Sequence, residues 1–172
     1  MRAVHYSVAM SLDGYIASKT GGSDWIVMDP EIDFKALFAE FDTLLMGRKT
    51  YEQSLANGMG GSMPGMCTYV FSTTLKPEEH KDVSVVATDA NEKVAELKKQ
   101  EGKAIWLMGG GVLFESLLRA RLVDVVEVSI VPVLLGDGTP FLPKTDIGAK
   151  LALTKHRVYE KSGICSLTYS VR

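Results

Sequence analysis

Short apolar runs alternate with amphipathic stretches along most of the chain, and two long alternating segments close it. Ala3–Ala9, extending to Met10, reads as a buried strand that ends in the turn Ser11-Leu12-Asp13-Gly14-Tyr15-Ile16-Ala17. After a polar Ser18–Asp24 loop, Asp29-Pro30 has the form of a helix start, with aspartate as N-cap and proline at the first helical position. Phe34, Leu37, Phe38 and Phe41 then share one helical face. Thr43–Met46 predicts a second strand, Arg48–Leu55 a short helix, and Asn57–Gly65 a glycine-rich loop. Cys67–Ser72 and Val83–Ala87 predict two more strands. Asn91–Gln100 predicts a charged helix with Val94 and Leu97 inward, stopped by Gly102. Ala104–Leu107 is strand-like, Val112–Ala120 helical, and Val123–Val131 a Val/Ile-rich strand before the turn Pro132–Gly138. Leu151–Tyr159 and Ile164–Val171 alternate as an antiparallel hairpin does, with Lys161-Ser162-Gly163 at the bend. Strands and helices that alternate, followed by strands alone, predict a three-layer α/β fold. It is a central, mostly parallel sheet with a C-terminal antiparallel hairpin, one domain over residues 1–172.

Composition narrows the partners. The chain is 46% hydrophobic and 23% charged, with a formal charge of −2. No Lys/Arg block stands out, which argues against nucleic acid or an anionic membrane as partner. No apolar run reaches the ~20 residues of a membrane helix, and the N-terminus lacks a signal-peptide pattern. Cys67 and Cys165 lie in apolar stretches with no CxxC pairing and read as reduced core thiols of a cytoplasmic protein. His5, His80 and His156 have no metal-ligand spacing, so no metal is expected.

Two apolar runs stop at glycine and pass into helical patterns: Leu44-Leu45-Met46-Gly47-Arg48-Lys49-Thr50 and Trp106-Leu107-Met108-Gly109-Gly110-Gly111-Val112. A strand feeding a helix N-terminus offers free backbone N–H groups and a positive dipole end, both of which favour phosphate. Two such junctions point to a ligand with several phosphates, such as a dinucleotide. The contiguous glycines do not make the GxGxxG fingerprint of ordinary dinucleotide sites, and position 129 is serine where that fingerprint needs an acid. Arg48 can fork onto a phosphate, and Ser72-Thr73-Thr74 follows a third strand end. Among the acids, Asp13 sits in the turn after the first strand, and Asp33 neighbours the apolar helix face.

The segments Ser11–Ala17, Met46–Tyr51, Gly109–Gly111 and Pro132–Gly138 run in the order and spacing of the dihydrofolate-reductase-like superfamily. The chain most resembles the C-terminal reductase domain of the bifunctional riboflavin-biosynthesis deaminase/reductase and its stand-alone relatives. No zinc-deaminase set, H-x-E with P-C-x-x-C, accompanies it. The resemblance implies a sheet of eight or nine strands, an NADPH site (NADH left open) and a homodimer. It places Gly47, Arg48, Lys49 and Thr50 at the cofactor phosphates. Met108, Gly109, Gly110, Gly111 and Val112 would line the pyrophosphate and nicotinamide, with Ala9 and Ile16 at the nicotinamide border. Ser72 and Thr73 would approach the adenosine ribose and its 2′-phosphate. Leu12–Ala17 would close over the site as a loop. Relatives often carry arginine or lysine where this chain has Thr73, and Asp-Glu where it has Asp124-Val125. The acid of true dihydrofolate reductases falls near Glu31 or Asp33.

The expected activity is NADPH-dependent hydride transfer to a C=N or C=O carbon of a small pterin-, pyrimidine- or ribosylamine-type substrate. Asp13 or Asp33 is the expected proton source, and Trp25 and Phe141 are candidate aromatic walls for the substrate. Dihydrofolate reductase proper and a nucleotide-binding protein without turnover are the alternatives.

Overall fold

The computed structural model describes residues 1–58 and 60–172; Met59, inside the predicted glycine-rich loop, lies outside the described residues. The elements run β1 (Val4–Ser11), β2 (Tyr15–Ser18), α1 (Phe34–Ala39), β3 (Phe41–Gly47), α2 (Arg48–Ala56), β4 (Cys67–Phe71) and β5 (Ser84–Val86). They continue as α3 (Ala90–Lys99), β6 (Ala104–Gly109), α4 (Gly111–Arg119), β7 (Val125–Val131), β8 (Gly138–Pro140), β9 (Leu151–Tyr159) and β10 (Ile164–Val171). Eight strands form one sheet in the order β5-β4-β3-β6-β1-β7-β10-β9. From β5 to β7 every neighbour is parallel, and the β9–β10 hairpin adds to β7 in antiparallel sense. This is the predicted architecture of a dihydrofolate-reductase-like fold.

Alternation along the strands builds two unlike faces. One face packs Val4, Tyr6, Leu45, Ile105, Leu107 and Val126 against α3 and α4. Tyr6 stacks on Phe114 of α4 at 3.8 Å between ring centroids. The opposite face carries Phe41, Leu44, Met46, Val70 and Trp106 beneath Phe38 of α1 and Tyr51 of α2. Among the described residues no helix is long and apolar enough to cross a membrane.

Three expectations need correction. The first concerns α1, which begins at Phe34 rather than at Pro30. Asp29 instead closes a separate turn, its side chain accepting from Glu31 N at 2.8 Å and its carbonyl from Ile32 N at 3.1 Å. Asp33 takes the N-cap, accepting from Ala36 N at 2.9 Å. Phe41 leaves the helix to open β3, where it lies edge-on to His5. The second concerns the ends of the turns Ser11–Ala17 and Pro132–Gly138, where Tyr15–Ser18 and Gly138–Pro140 pair as a small antiparallel ribbon of β2 and β8. At four and three residues these strands are too short to stand out as alternating runs. The third concerns the cysteines: both are free, yet Cys67 is exposed and Cys165 only partly buried.

Candidate functional site

The two glycine junctions, distant in sequence, become neighbours because β3 pairs with β6, with Met46 opposite Gly109. Gly47 and Gly110 are the N-caps of α2 and α4, and neither helix start receives a side-chain cap. Their first-turn N–H groups are therefore available to an anion. Thr50 stands between the junctions. A Cβ on Gly109 or Gly110 would lie 3.5 or 3.4 Å from its Oγ1. Gly47 has an ordinary φ of −79°, and a Cβ there would meet nothing within 4 Å. Nothing in the chain itself thus requires glycine at 47. Gly111 differs, since a Cβ would come within 3.0 Å of Pro143 and 3.2 Å of the Pro140 carbonyl. Its glycine serves chain packing, Gly109 and Gly110 lie against Thr50, and Gly47 borders open space.

Beside this cradle, at the ends of β4 and β5, a cavity of about 380 Å³ is lined by Arg48, Phe71, Ser72, Thr73, Thr74 and Val86. Ser72 is 9% exposed, and its Oγ accepts from Thr74 N and Leu75 N at 3.2 and 3.0 Å. That turn holds Thr73 outward. Arg48 is exposed and reaches the same cavity from α2, with Glu52 as its ion-pair partner at 3.3 Å. Lys49 is exposed, and Lys76 is paired with Glu79. A depression of about 580 Å³ outside α4 is lined by Val112, Arg119, Pro143 and Asp146. It adjoins the first turn of α4, where Val112 is 76% exposed toward solvent.

The predicted acids have structural employment. Asp13 is exposed and gathers four hydrogen bonds, from Ser11 Oγ at 2.6 Å, Leu135 N at 3.1 Å to both oxygens, and Gly136 N at 2.7 Å. The Ser11 hydroxyl, with the Gly136 and Leu135 N–H groups, holds its carboxyl down to about 2. A carboxyl so acidic is a poor proton donor at neutral pH; it works as a latch between the Leu12–Ala17 loop and the segment after β7. Asp13→Ala should speed amide exchange at Leu135 and Gly136 at least about tenfold. Because the folded pKa is depressed, the latch is complete above the ordinary carboxylate range. It should open as pH falls toward about 2, and exchange followed by NMR against pH checks both statements. Asp33 is exposed and spent on capping α1. Asp124, next to the substituted Val125, accepts from Val4 N at 2.8 Å and pairs with the buried Lys98.

Of the proposed aromatic walls, Phe141 turns into the α4-side core, 5.1 Å from Tyr6 and 5.5 Å from Phe114. Trp25 is half-buried, with its indole N–H on the Gly22 carbonyl at 3.1 Å. Ala9 lies at the upper end of β1, on the α1 side of the sheet, and Ile16 lies in β2.

A polar set on that same side escaped the sequence reading. His5 and Ser7 of β1 face away from α3 and α4, and Ser7 lies directly opposite Glu127 of β7, itself opposite Thr168 of β10. Glu127 is partly buried, and desolvation, reinforced by Glu40, raises its pKa against the opposing effects of Lys155 and Ser7. Burial lowers the pKa of His5, whose Nδ1 is buried without a hydrogen-bond partner among the described residues. The available signal was polar residues at every second position in two central strands. Strands of a doubly covered parallel sheet are normally apolar on both faces.

The chain matches known proteins along its whole length. The RibD C-terminal domain family matches residues 2–165. Two Bacillus subtilis proteins, the uncharacterized YyaP and YwjB, are 30% identical over 98% of this chain and 94% of YyaP, and 29% identical over 85% of this chain and 86% of YwjB. A putative riboflavin biosynthesis protein from Shewanella sp. PV-4 superposes with a TM-score of 0.81 at 28% identity, covering 100% of this chain and 99% of that one. Dihydrofolate reductase from Enterococcus faecalis, complexed with NADP(H), superposes with a TM-score of 0.71 at 21% identity, over 99% and 96% of the two chains. The Thermotoga maritima deaminase/5-amino-6-(5-phosphoribosylamino)uracil reductase also gives 0.71, at 17% identity, over 99% of this chain and 57% of its own. With its dihydrofolate-reductase-like sheet and its paired glycine junctions, the chain belongs to the RibD C-terminal domain family.

Proposed function

We propose that this protein is an NADPH-dependent reductase. It would reduce a C=N or C=O carbon of a small pterin-, pyrimidine- or ribosylamine-type substrate. The observation that carries the reading is the pairing of two uncapped helix N-termini, one at Gly47 and one at Gly110 against Thr50, beside the Arg48–Ser72–Thr73 cavity. Two open helix N-termini suit a pyrophosphate, and a neighbouring cavity with one guanidinium and several hydroxyls suits a ribose 2′-phosphate. The family and the NADP(H)-bound fold neighbour support the same cofactor. When bound, the nicotinamide supplies a hydride at C4. The chain's own part is to align the acceptor carbon along the β1–β6 edge, exclude water with the Asp13-latched loop, and deliver a proton to the acceptor heteroatom.

Exposed Leu151, Leu153 and Val158 on edge strand β9, at 42, 53 and 58%, support a homodimer.

Titration with NADPH and NADH, followed by absorbance at 340 nm with dihydrofolate or the riboflavin-pathway pyrimidine, tests the reading. Tight NADPH binding and oxidation with one of these substrates are expected. Binding without oxidation across a broad panel would instead favour a nucleotide-binding protein without turnover, and no binding of either nucleotide would sink both. Arg48→Ala should weaken NADPH about tenfold to a hundredfold and NADH much less. Equal losses would reassign Arg48 to a phosphate common to both.

A further inference from the structure

The α1 side of the sheet is covered unevenly. Phe38 of α1 stacks on Trp106 of β6 at 5.2 Å, and Phe41 meets His5 at 5.4 Å. Past β1, among the described residues, no helix lies on this face, and β7, β10 and β9 present Glu127, Thr168 and Lys155 in one register row. Ser7 continues that row on β1. The next row toward the strand ends holds Ala9 and Ser129. Successive same-face residues stand about 6–7 Å apart along a strand. A six-membered ring with one edge on Glu127 would therefore bring its far side level with Ala9.

We propose that Glu127, seated beside Ser7, is the specificity-determining residue of the substrate site and reads a cyclic amide edge, a ring carbonyl next to a ring N–H, through two hydrogen bonds. The inference rests on the reductase reading, which puts Ala9 at the hydride-donating end. A carboxylic acid matches this edge in one plane: its O–H donates to the ring carbonyl and its C=O accepts the ring N–H. Only the protonated acid offers both. Glu127 is held toward that form by burial and by Glu40, with Lys155 opposing. The indole N–H of buried Trp106 donates to the Ser7 carbonyl at 2.9 Å, which makes it a built-in reporter.

The experiment follows the indole ¹⁵N–¹H resonance of Trp106 in the full-length protein with NADPH present, using uracil as probe and 1,3-dimethyluracil as the blocked analogue. Uracil should shift the resonance and the dimethyl compound should not. Glu127→Gln, whose carboxamide also donates and accepts, should bind uracil within roughly threefold of the wild type at low pH. Glu127→Ala should bind at least about tenfold more weakly. Wild-type affinity should fall as pH rises through the Glu127 pKa, approaching tenfold per unit, while the Gln variant stays flat between about pH 5 and pH 8. Glu40, His5 and Lys155 face the same row and remain in the Gln variant, so a slope that persists there belongs to them and overturns the proposal. It is also overturned if Gln loses as much affinity as Ala, or if Ala binds like the wild type. Equal binding of dimethyluracil has the same force. NADPH affinity, measured on the same samples, separates the two readings. Failed NADPH binding with Glu127-dependent uracil binding sinks the reductase reading, and intact NADPH binding without that dependence sinks this one.

Discussion

Gly47→Val is expected to leave the protein folded and to weaken NADPH binding at least about a hundredfold, roughly 3 kcal/mol of binding free energy. The two halves of this expectation rest on different facts. Gly47 has a φ any residue can adopt, and a Cβ there meets nothing within 4 Å. Valine is a poorer N-cap than glycine, which costs on the order of 1 kcal/mol and leaves the protein folded. The same space is where the α2 N-terminus, lacking a side-chain cap, faces outward, so added methyls would occupy the approach of a phosphate. Gly47→Ala should give a smaller loss in the same direction. Thermal unfolding and nucleotide titration of both variants check the pair. A Gly47→Val that fails to fold would show that the chain needs the glycine for itself, and unchanged NADPH binding would remove the phosphate from this junction.

The second large effect lies behind the other junction. Phe114→Ala should cost about 3–5 kcal/mol of stability, lowering Tm by on the order of 10 °C for a chain of this size. Phe114 is 2% exposed, stacked on Tyr6 and edge-on to Phe141. Truncation opens a cavity that three elements border, and Tyr6 is held in place by the strand it belongs to, so the space cannot collapse fully. Phe114 also sets the height of α4, whose first residue follows Gly110. Phe114→Ala should therefore weaken NADPH as well, whereas Phe114→Leu should keep most of both properties. Denaturant melts and nucleotide titration separate the outcomes. Loss of stability with unchanged nucleotide affinity would show that the α4 N-terminus does not hold the cofactor.

Local pattern made the frame of this protein legible. The β9–β10 hairpin has the bounds that the alternation predicts, Leu151 to Tyr159 and Ile164 to Val171, with one register shift between Thr168 and Tyr169. The strand ends at Gly47 and Gly109 were visible because apolar runs stop there and helical spacing begins. Where two local signals competed, the reading slipped. Asp29-Pro30 and Asp33 are both good helix starts, and the Asp29 side chain is already committed to its own turn. The β2–β8 ribbon was invisible for a different reason. Its strands are only four and three residues long, and the bonds from Leu135 N and Gly136 N to Asp13 join segments far apart in the chain.

By itself the sequence determined the elements of the main sheet, their alternation with helices and the two strand-to-helix glycine junctions, because those depend on contacts within a few residues. Only the tertiary structure decided what each polar side chain faces. It turned Asp13 into a latch, Asp33 into a cap and Phe141 into core, and it brought Gly109 and Gly110 of one junction against Thr50 of the other. It also set Glu127 opposite Ser7 on a helix-free part of the sheet. Strand order is a long-range outcome, since burial of apolar faces rewards whichever pairing covers most surface, and that order alone selects a polar residue's neighbours.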